Sequence, residues 1–215
     1  MNDIIKSIEE NKVVVICRGL YGESLAQVMA ALYKGGIRLV EVTFDQADPQ
    51  AIEKTSAAIS LIIERFPEMK VGSGTVTCID HVIATKEAGG VFCLSPDVNE
   101  EVIRATKACG LVSIPGAMTP TEILSAHRAG ADIVKIFPAG WLGLKYLKDI
   151  KGPINHVKFL AAAGVTEENF KDYMAAGYCA AGISGRFIDK AVIAAGDYEE
   201  LTRRARIFSE LAKES

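Results

Sequence analysis

The chain has 215 residues, 49% of them hydrophobic and 24% charged, which is enough to bury a full core in a single domain spanning residues 1–215. The formal net charge is −3 and the basic residues are scattered, which excludes the positive surface that nucleic acid or an anionic membrane requires. Five cysteines without paired spacing, and no signal-peptide or membrane-span pattern, indicate a reduced, cytoplasmic protein. The three histidines lie far apart in the sequence, so no metal site is expected.

Short strands and amphipathic helical stretches alternate along the chain, and several strands follow a glycine of the kind that ends a helix. The predicted strands, rich in valine and isoleucine, span residues 13–17, 38–43, 71–75, 91–94, 111–114, 132–137, 157–161 and 179–183. Predicted helical stretches include residues 24–33, 49–65, 99–109 and 120–129, with terminal helices at 3–10 and 198–213. Strict alternation implies parallel strands with right-handed crossovers. The pattern therefore predicts an α/β fold, a (β/α)8 TIM barrel with the terminal helices packed outside it.

A doubly wound open sheet is the alternative fold for an alternating pattern. That fold favours a Gly-x-Gly-x-x-Gly turn after the first strand, where residues 18–22 of this chain read RGLYG. In a barrel, catalytic side chains project from the carboxyl ends of the strands, so polar residues at these ends are the first candidates for a site.

Lys135 is a lone cation in the sixth predicted strand, and burying an unpaired ammonium among apolar neighbours is costly. Side chains alternate along a strand, so Ile133, Lys135 and Phe137 share one face, and Pro138 ends the strand just beyond them. The amine is expected to point into the barrel mouth, where desolvation lowers its pKa and frees its lone pair to form a Schiff base. The alternative is a structural lysine paired with a buried carboxylate.

Glu41 repeats this pattern in the second predicted strand. Leu39 and Thr43 share its face, so the carboxylate is expected to face the same interior as Lys135. A carboxylate beside an iminium can shuttle protons during imine formation, dehydration and carbon–carbon cleavage. Otherwise Glu41 is only the ion-pair partner of Lys135, and the two roles are compatible.

Groups suited to a small α-keto acid lie at two other strand ends. Arg18 follows the first strand and can hold a carboxylate with two parallel hydrogen bonds, unless it forms only a surface ion pair. Gly72 and Gly74 in the third strand let backbone amides approach an anionic substrate, or else they form a tight turn.

The loops after the last two strands, residues 161–165 and 182–186, occupy positions where many barrels bind phosphate through backbone amides. Ser184 and Arg186 are expected to help hold an anion there. The signal is weaker in the first of these loops, because only Gly164 interrupts a run of alanines that offers no hydroxyl group.

Several motifs in a fixed order complete the pattern: residues 35–43, 72–76, 95–96, 115–122 and 135–139. With these motifs the chain resembles, over nearly its whole length, the bacterial family of 2-keto-3-deoxy-6-phosphogluconate (KDPG) and 4-hydroxy-2-oxoglutarate (KHG) aldolases. The resemblance implies a barrel of the class I aldolase type, a homotrimer without a metal, whose only cofactor is a covalent lysine imine. It would cleave a 2-keto-3-deoxy sugar acid of the 6-phosphogluconate type, or 4-hydroxy-2-oxoglutarate. The products would be pyruvate and an aldehyde, either glyceraldehyde 3-phosphate or glyoxylate.

The resemblance also implies roles for individual residues. Lys135 would form the Schiff base with pyruvate, and Glu41 would act as general acid and base. The substrate would be contacted at its carboxylate (Arg18, Thr75), along the pyruvate unit (Pro96, Phe137) and at further positions (Gly74, Gly164, Ser184, Gly185).

The sequence departs from the family pattern in the loops after the last two strands and after the second strand. Residues 161–164 read AAAG where members acting on the phosphorylated substrate often have PTGG, and residues 184–186 present the serine after the eighth strand in shifted form. Asp45 stands where some members have an arginine. These departures predict that cleavage is retained with a weakened preference for a 6-phosphate, in favour of a non-phosphorylated or dicarboxylate substrate such as 4-hydroxy-2-oxoglutarate.

Two other functions are compatible with the same residues. The first is a phosphate-binding isomerase or epimerase in which Glu41 is the base and Lys135 an electrostatic clamp. The second is a non-catalytic barrel subunit that binds an anion. Trp141, just past the strand of Lys135, either covers the pocket or packs on a helix.

Overall fold

The computed structural model describes all 215 residues. The strands are β1 (Val13–Cys17), β2 (Leu39–Thr43), β3 (Lys70–Gly74), β4 (Phe92–Leu94), β5 (Val112–Ile114), β6 (Gly116–Ala117), β7 (Val134–Ile136), β8 (Phe159–Ala162) and β9 (Ala180–Ile183). The helices are α1 (Asn2–Asn11), α2 (Gly22–Lys34), α3 (Ala51–Arg65), α4 (Ile79–Glu87), α5 (Glu100–Ala108), α6 (Pro120–Ala129), α7 (Ala139–Lys151), α8 (Phe170–Ala176), α9 (Lys190–Ala194) and α10 (Tyr198–Lys213).

All strand pairs are parallel, and they form one sheet in the order β5-β4-β3-β2-β1-β9-β8-β7-β6. The two strands at the ends of this order, β5 and β6, are consecutive in the chain and separated only by Pro115. Proline has no N–H to donate, so the ladder is interrupted there, although the Pro115 carbonyl accepts a 2.8 Å hydrogen bond from the amide of Lys135. β5 and β6 are therefore two halves of one barrel strand, and the predicted (β/α)8 barrel is confirmed. The open-sheet alternative is wrong.

The predicted boundaries agree with the observed ones to within two residues, and β1, α6 and α10 match at both ends. The main difference is the fifth strand, which continues past its predicted end at residue 114 into β6. After α4 the residue in the left-handed conformation is Gly89, with φ of 87°, and Gly90 separates it from the next strand.

The barrel interior is filled by side chains from alternate positions of the strands, joined by Ile8 of α1. The other members of this cluster come from the strands and, for Ile133, from the residue just before β7: Val14, Leu39, Phe92, Leu94, Val112, Ile114, Ile133, Leu160, Ala162 and Ala180. Because α1 runs directly into the start of β1, Ile8 closes the amino-terminal end of the barrel. The polar side chains at the carboxyl end of the strands are therefore the ones that face an open mouth.

All five cysteines are free thiols. Cys17 and Cys93 are buried on the outward faces of β1 and β4, where desolvation raises the pKa of Cys17 to about 12 and that of Cys93 to about 11. Both thiols are protonated at neutral pH and pack as small apolar groups. No helix in this fold has both the length and the apolar character that crossing a membrane requires.

Candidate active site

Lys135 lies on β7 with its side chain directed into the barrel, and only 8% of the residue is exposed. Its amine lies 5.3 Å from the centre of the Phe137 ring and has no carboxylate oxygen within 4.0 Å. Desolvation lowers the pKa of Lys135; nearby Glu41 opposes this and Arg18 adds to it. The alternative of a structural lysine in an ion pair is therefore wrong, and the amine is available as a nucleophile.

Glu41 lies on β2 and is 4% exposed. Its Oε2 atom is buried and has no hydrogen-bond partner. Burial raises the pKa of Glu41 to about 7, against the opposing effects of Lys135 and Arg18. A carboxyl group that titrates near neutral pH can both donate and accept a proton during turnover, as the sequence predicts for a general acid and base.

Gly74 on β3, two residues beyond the register partner of Glu41, leaves the space that the Glu41 carboxylate occupies. A Cβ atom at Gly74 would lie 2.6 Å from the carboxyl carbon and from Oε1 of Glu41, closer than such atoms approach in proteins. Gly74 therefore supports the site from beside the carboxylate.

We expect Gly74→Ala to displace the Glu41 carboxylate, because the ladder between β2 and β3 fixes the backbone and the carboxylate is the group that must move. The free energy of unfolding should fall by about 2 kcal/mol and the catalytic rate should fall with it. Urea unfolding and steady-state kinetics test this. Gly152→Ala is the matched control, since its Cβ would meet only the Asp149 carbonyl, at 3.4 Å. Equal stability of the two variants would contradict the expectation.

Arg18 extends from the end of β1 and is exposed at the mouth. One of its Nη atoms donates to Oγ1 of Thr75 at 3.3 Å, and the guanidinium forms no ion pair with a carboxylate. The alternative of a surface ion pair is therefore wrong. Thr75 follows β3 with φ of 58°, an unusual conformation for a β-branched residue, and this turns its hydroxyl toward Arg18.

A cavity of about 430 Å³ opens between these groups at the carboxyl end of the barrel. It brings together most of the predicted site residues: Arg18, Glu41, Thr75, Pro96, Lys135, Phe137, Gly164, Ser184 and Gly185. Residues without an individual prediction also line it: Ile16, Ala163, Val165, Thr166, Gly182 and Ile183. Ile16 shares the strand face of Arg18, so the period-2 rule applied to β1 would have found it.

The loops after β8 and β9 line one side of the cavity. None of the amide N–H groups of residues 163–165 and 184–186 donates to an acceptor within the chain, so they can bind an anion. The hydroxyl of Ser184 donates to the Ile16 carbonyl at 2.9 Å. Arg186 also lines the cavity, but its guanidinium pairs with Oε1 of Glu167 at 2.6 and 2.9 Å, which offsets its charge.

Trp141 does not line this cavity and is 90% exposed, so both predicted roles, covering the pocket and packing on a helix, are wrong.

The rings of His127 and His156 lie 4.9 Å apart despite their separation in the sequence. No group of three or more histidine, cysteine, aspartate or glutamate side chains forms a cluster that could hold a metal ion.

Comparison with known proteins decides the family. Residues 4–204 match the family model described as "KDPG and KHG aldolase". The chain belongs to this family. The aldolase is 33% identical over 193 residues to the "Probable 2-dehydro-3-deoxy-6-phosphogalactonate aldolase" of Rhizobium meliloti, covering 89% of this chain and 88% of the relative. It is equally similar to the "KHG/KDPG aldolase" of Escherichia coli, with 33% identity over 89% of this chain and 87% of the relative.

Solved structures show the same relationship. The KDPG aldolase of Legionella pneumophila, whose structure has "pyruvate captured at low pH as a covalent carbinolamine intermediate", superposes with a TM-score of 0.82. The two proteins are 25% identical over 94% of this chain and 96% of that one. The chain is thus a class I, Schiff-base aldolase, a carbon–carbon lyase. The isomerase and the non-catalytic subunit are excluded as its main function.

Proposed function

We propose that this aldolase cleaves a 2-keto-3-deoxy sugar acid of the 6-phosphogluconate type, or 4-hydroxy-2-oxoglutarate, through an imine on Lys135. The products are pyruvate and the corresponding aldehyde, glyceraldehyde 3-phosphate or glyoxylate. One observation carries the proposal: a buried lysine without an ion-pair partner shares an open cavity with a glutamate whose burial raises its pKa to about 7.

In this mechanism the Lys135 nitrogen attacks the C2 carbonyl and gives a carbinolamine. Protonated Glu41 donates a proton to the leaving hydroxyl, which departs as water and leaves an iminium. The Glu41 carboxylate then removes the proton of the C4 hydroxyl, the C3–C4 bond breaks, and its electron pair moves to the iminium nitrogen. The aldehyde leaves, the resulting enamine is protonated at C3, and water releases pyruvate and the free amine.

The two ends of the substrate are held by different parts of the cavity. Arg18 and Thr75 bind the carboxylate next to the reacting carbonyl, and Pro96 and Phe137 enclose the pyruvate unit. The far end of the substrate lies against the loops after β8 and β9, where Gly164, Ser184 and Gly185 offer backbone N–H groups. The orientation of the C3–C4 bond toward Glu41 follows from these two anchors.

The proposal includes the wider setting of the enzyme. It acts without a metal, since the iminium itself accepts the electrons released by cleavage. We further propose a single domain over residues 1–215, a cytoplasmic location, a homotrimer, and no nucleic-acid or membrane partner. A light-scattering mass close to that of the 23.1 kDa chain would contradict the trimer.

Substrate preference tests the part of the cavity that is lined by the loops after β8 and β9. Ala162 has no hydroxyl, and Glu167 offsets the charge of Arg186, so we expect at most about a tenfold advantage in kcat/KM for the 6-phosphate sugar acid over 4-hydroxy-2-oxoglutarate. Steady-state kinetics with both substrates, measured by coupled pyruvate assay, check this. An advantage of the phosphorylated acid of about a hundredfold or more would contradict the weakened preference.

A further inference from the structure

Gln46, in the loop after β2, connects the two loops that flank Glu41. Its Nε2 atom donates to the carbonyl of Thr75 at 3.1 Å and to that of Phe44 at 3.4 Å. Its Oε1 atom accepts a 2.7 Å hydrogen bond from Oγ1 of Thr77. The side chain is exposed and does not line the catalytic cavity, so these bonds act on neighbouring residues rather than on a substrate.

Thr75 is the residue on which this bridge acts. Its φ of 58° is disfavoured for a β-branched side chain, so neighbouring groups must hold it there. Gln46 is the only group that donates a hydrogen bond to the Thr75 carbonyl. On the other side of the same residue, Oγ1 of Thr75 accepts from Arg18 at 3.3 Å.

We propose that Gln46 is a positioning residue for recognition of the substrate carboxylate. It holds the Thr75 backbone in its left-handed conformation and thereby keeps the Thr75 hydroxyl and the Arg18 guanidinium in one orientation. The inference rests on the proposed function, which assigns carboxylate binding to these two residues. Gln46 contributes to affinity for the keto acid and takes no part in bond making or breaking.

The surrounding structure separates this role from general stability. Phe44, at the start of the same loop, is fully buried and stacks on His81 of α4 with ring centres 4.0 Å apart. Nδ1 of His81 accepts a 3.4 Å hydrogen bond from the Thr77 amide, which anchors the loop after β3 at a point two residues beyond Thr75. Both loops therefore stay anchored when the exposed Gln46 side chain is removed. The effect of the removal is confined to Thr75, which loses the hydrogen bond to its carbonyl.

The test measures how borohydride trapping of the enzyme depends on pyruvate concentration. We expect Gln46→Leu to raise the half-saturating pyruvate concentration about fivefold, and the limiting trapping rate to stay unchanged. Gln46→Glu keeps the oxygen that accepts from Thr77 but loses the N–H groups, so it should show at least the same rise. Gln50→Leu is the matched control, because the Gln50 side chain makes no hydrogen bond, and it should bind pyruvate as the unaltered protein does.

A double-mutant cycle with Thr75→Val shows whether Gln46 acts through the Thr75 hydroxyl. Valine preserves the branched shape, so Gln46→Leu should have no further effect on half-saturation in the Thr75→Val background. Additive effects, or a Gln46→Leu protein indistinguishable from Gln50→Leu, would overturn the inference and leave the proposed function intact. Failure of the unaltered protein to trap pyruvate at all would instead overturn the proposed function.

Discussion

Replacement of Lys135 by methionine should lower kcat/KM for cleavage by more than about 10⁴-fold, because the variant has no nucleophile to form the imine. Methionine fills nearly the same volume in the barrel interior, so the loss reports on the amine rather than on the fold. The measurement is the coupled pyruvate assay, with far-ultraviolet circular dichroism to confirm the secondary structure. Lys148→Met, an exposed lysine of α7, is the control and should keep full activity.

The same variant should be more stable than the unaltered protein, by about 1 kcal/mol, because an unpaired buried amine favours activity at the expense of stability. The pKa of Lys135 is lowered in the folded state, so the unfolded chain binds the proton more tightly. Stability of the unaltered protein therefore rises with pH between the folded-state pKa and the ordinary value of 10.5. The stability gained by Lys135→Met is therefore largest at pH values below this window and disappears above it. A Lys135→Met protein that retained activity would refute the nucleophile assignment.

Glu41→Gln should lower kcat by about 10²- to 10⁴-fold, the usual contribution of a general acid and base. The amide cannot take the proton of the C4 hydroxyl, but Lys135 remains, so the variant should still trap pyruvate, more slowly. In the unaltered protein the cleavage rate should fall as pH rises through about 7, the value to which burial raises the Glu41 pKa, because dehydration needs the protonated carboxyl group, and the variant should lack this dependence. Glu53→Gln, an exposed change on α3, is the control.

Stability gives a second, independent readout for Glu41. Its pKa is raised from 4.5 to about 7, so between these values the folded state holds a proton that the unfolded chain has lost. Stability of the unaltered protein should therefore fall as pH rises through this window, and Glu41→Gln should remove that dependence. Urea titrations from pH 4 to pH 8 would show it. A cleavage rate independent of pH around 7 would contradict the assignment of Glu41 as the proton-transfer group.

The reacting pair could be predicted from the sequence because its signal is local. An ionisable residue in the middle of an apolar strand is rare, and period-2 alternation places Lys135 and Glu41 on the inner faces of their strands. Alternation of strands and helices then places both strand ends at one mouth. The two residues lie in a shared cavity, as these rules predict.

Other features depend on contacts between segments distant in the chain. The ion pair between Arg186 and Glu167 and the hydrogen bond from Gln46 to Thr75 each join different loops. Strand periodicity does not describe loop geometry, so neither contact could be predicted from it. The interruption at Pro115 is local, yet its effect on strand pairing appears only once the sheet closes into a ring. Trp141 lies close to the reacting strand in sequence, but its 90% exposure depends on how α7 begins, and the sequence does not indicate this.

A single amine, on Lys135, forms the covalent intermediate of the proposed mechanism. The most direct test of this assignment is incubation with pyruvate and sodium borohydride, followed by intact-mass spectrometry and peptide mapping, with Lys135→Met in parallel. We expect one reduced-pyruvate adduct per chain, on the peptide containing Lys135, and none in the variant. An adduct on another lysine, or no adduct in the unaltered protein, would contradict it.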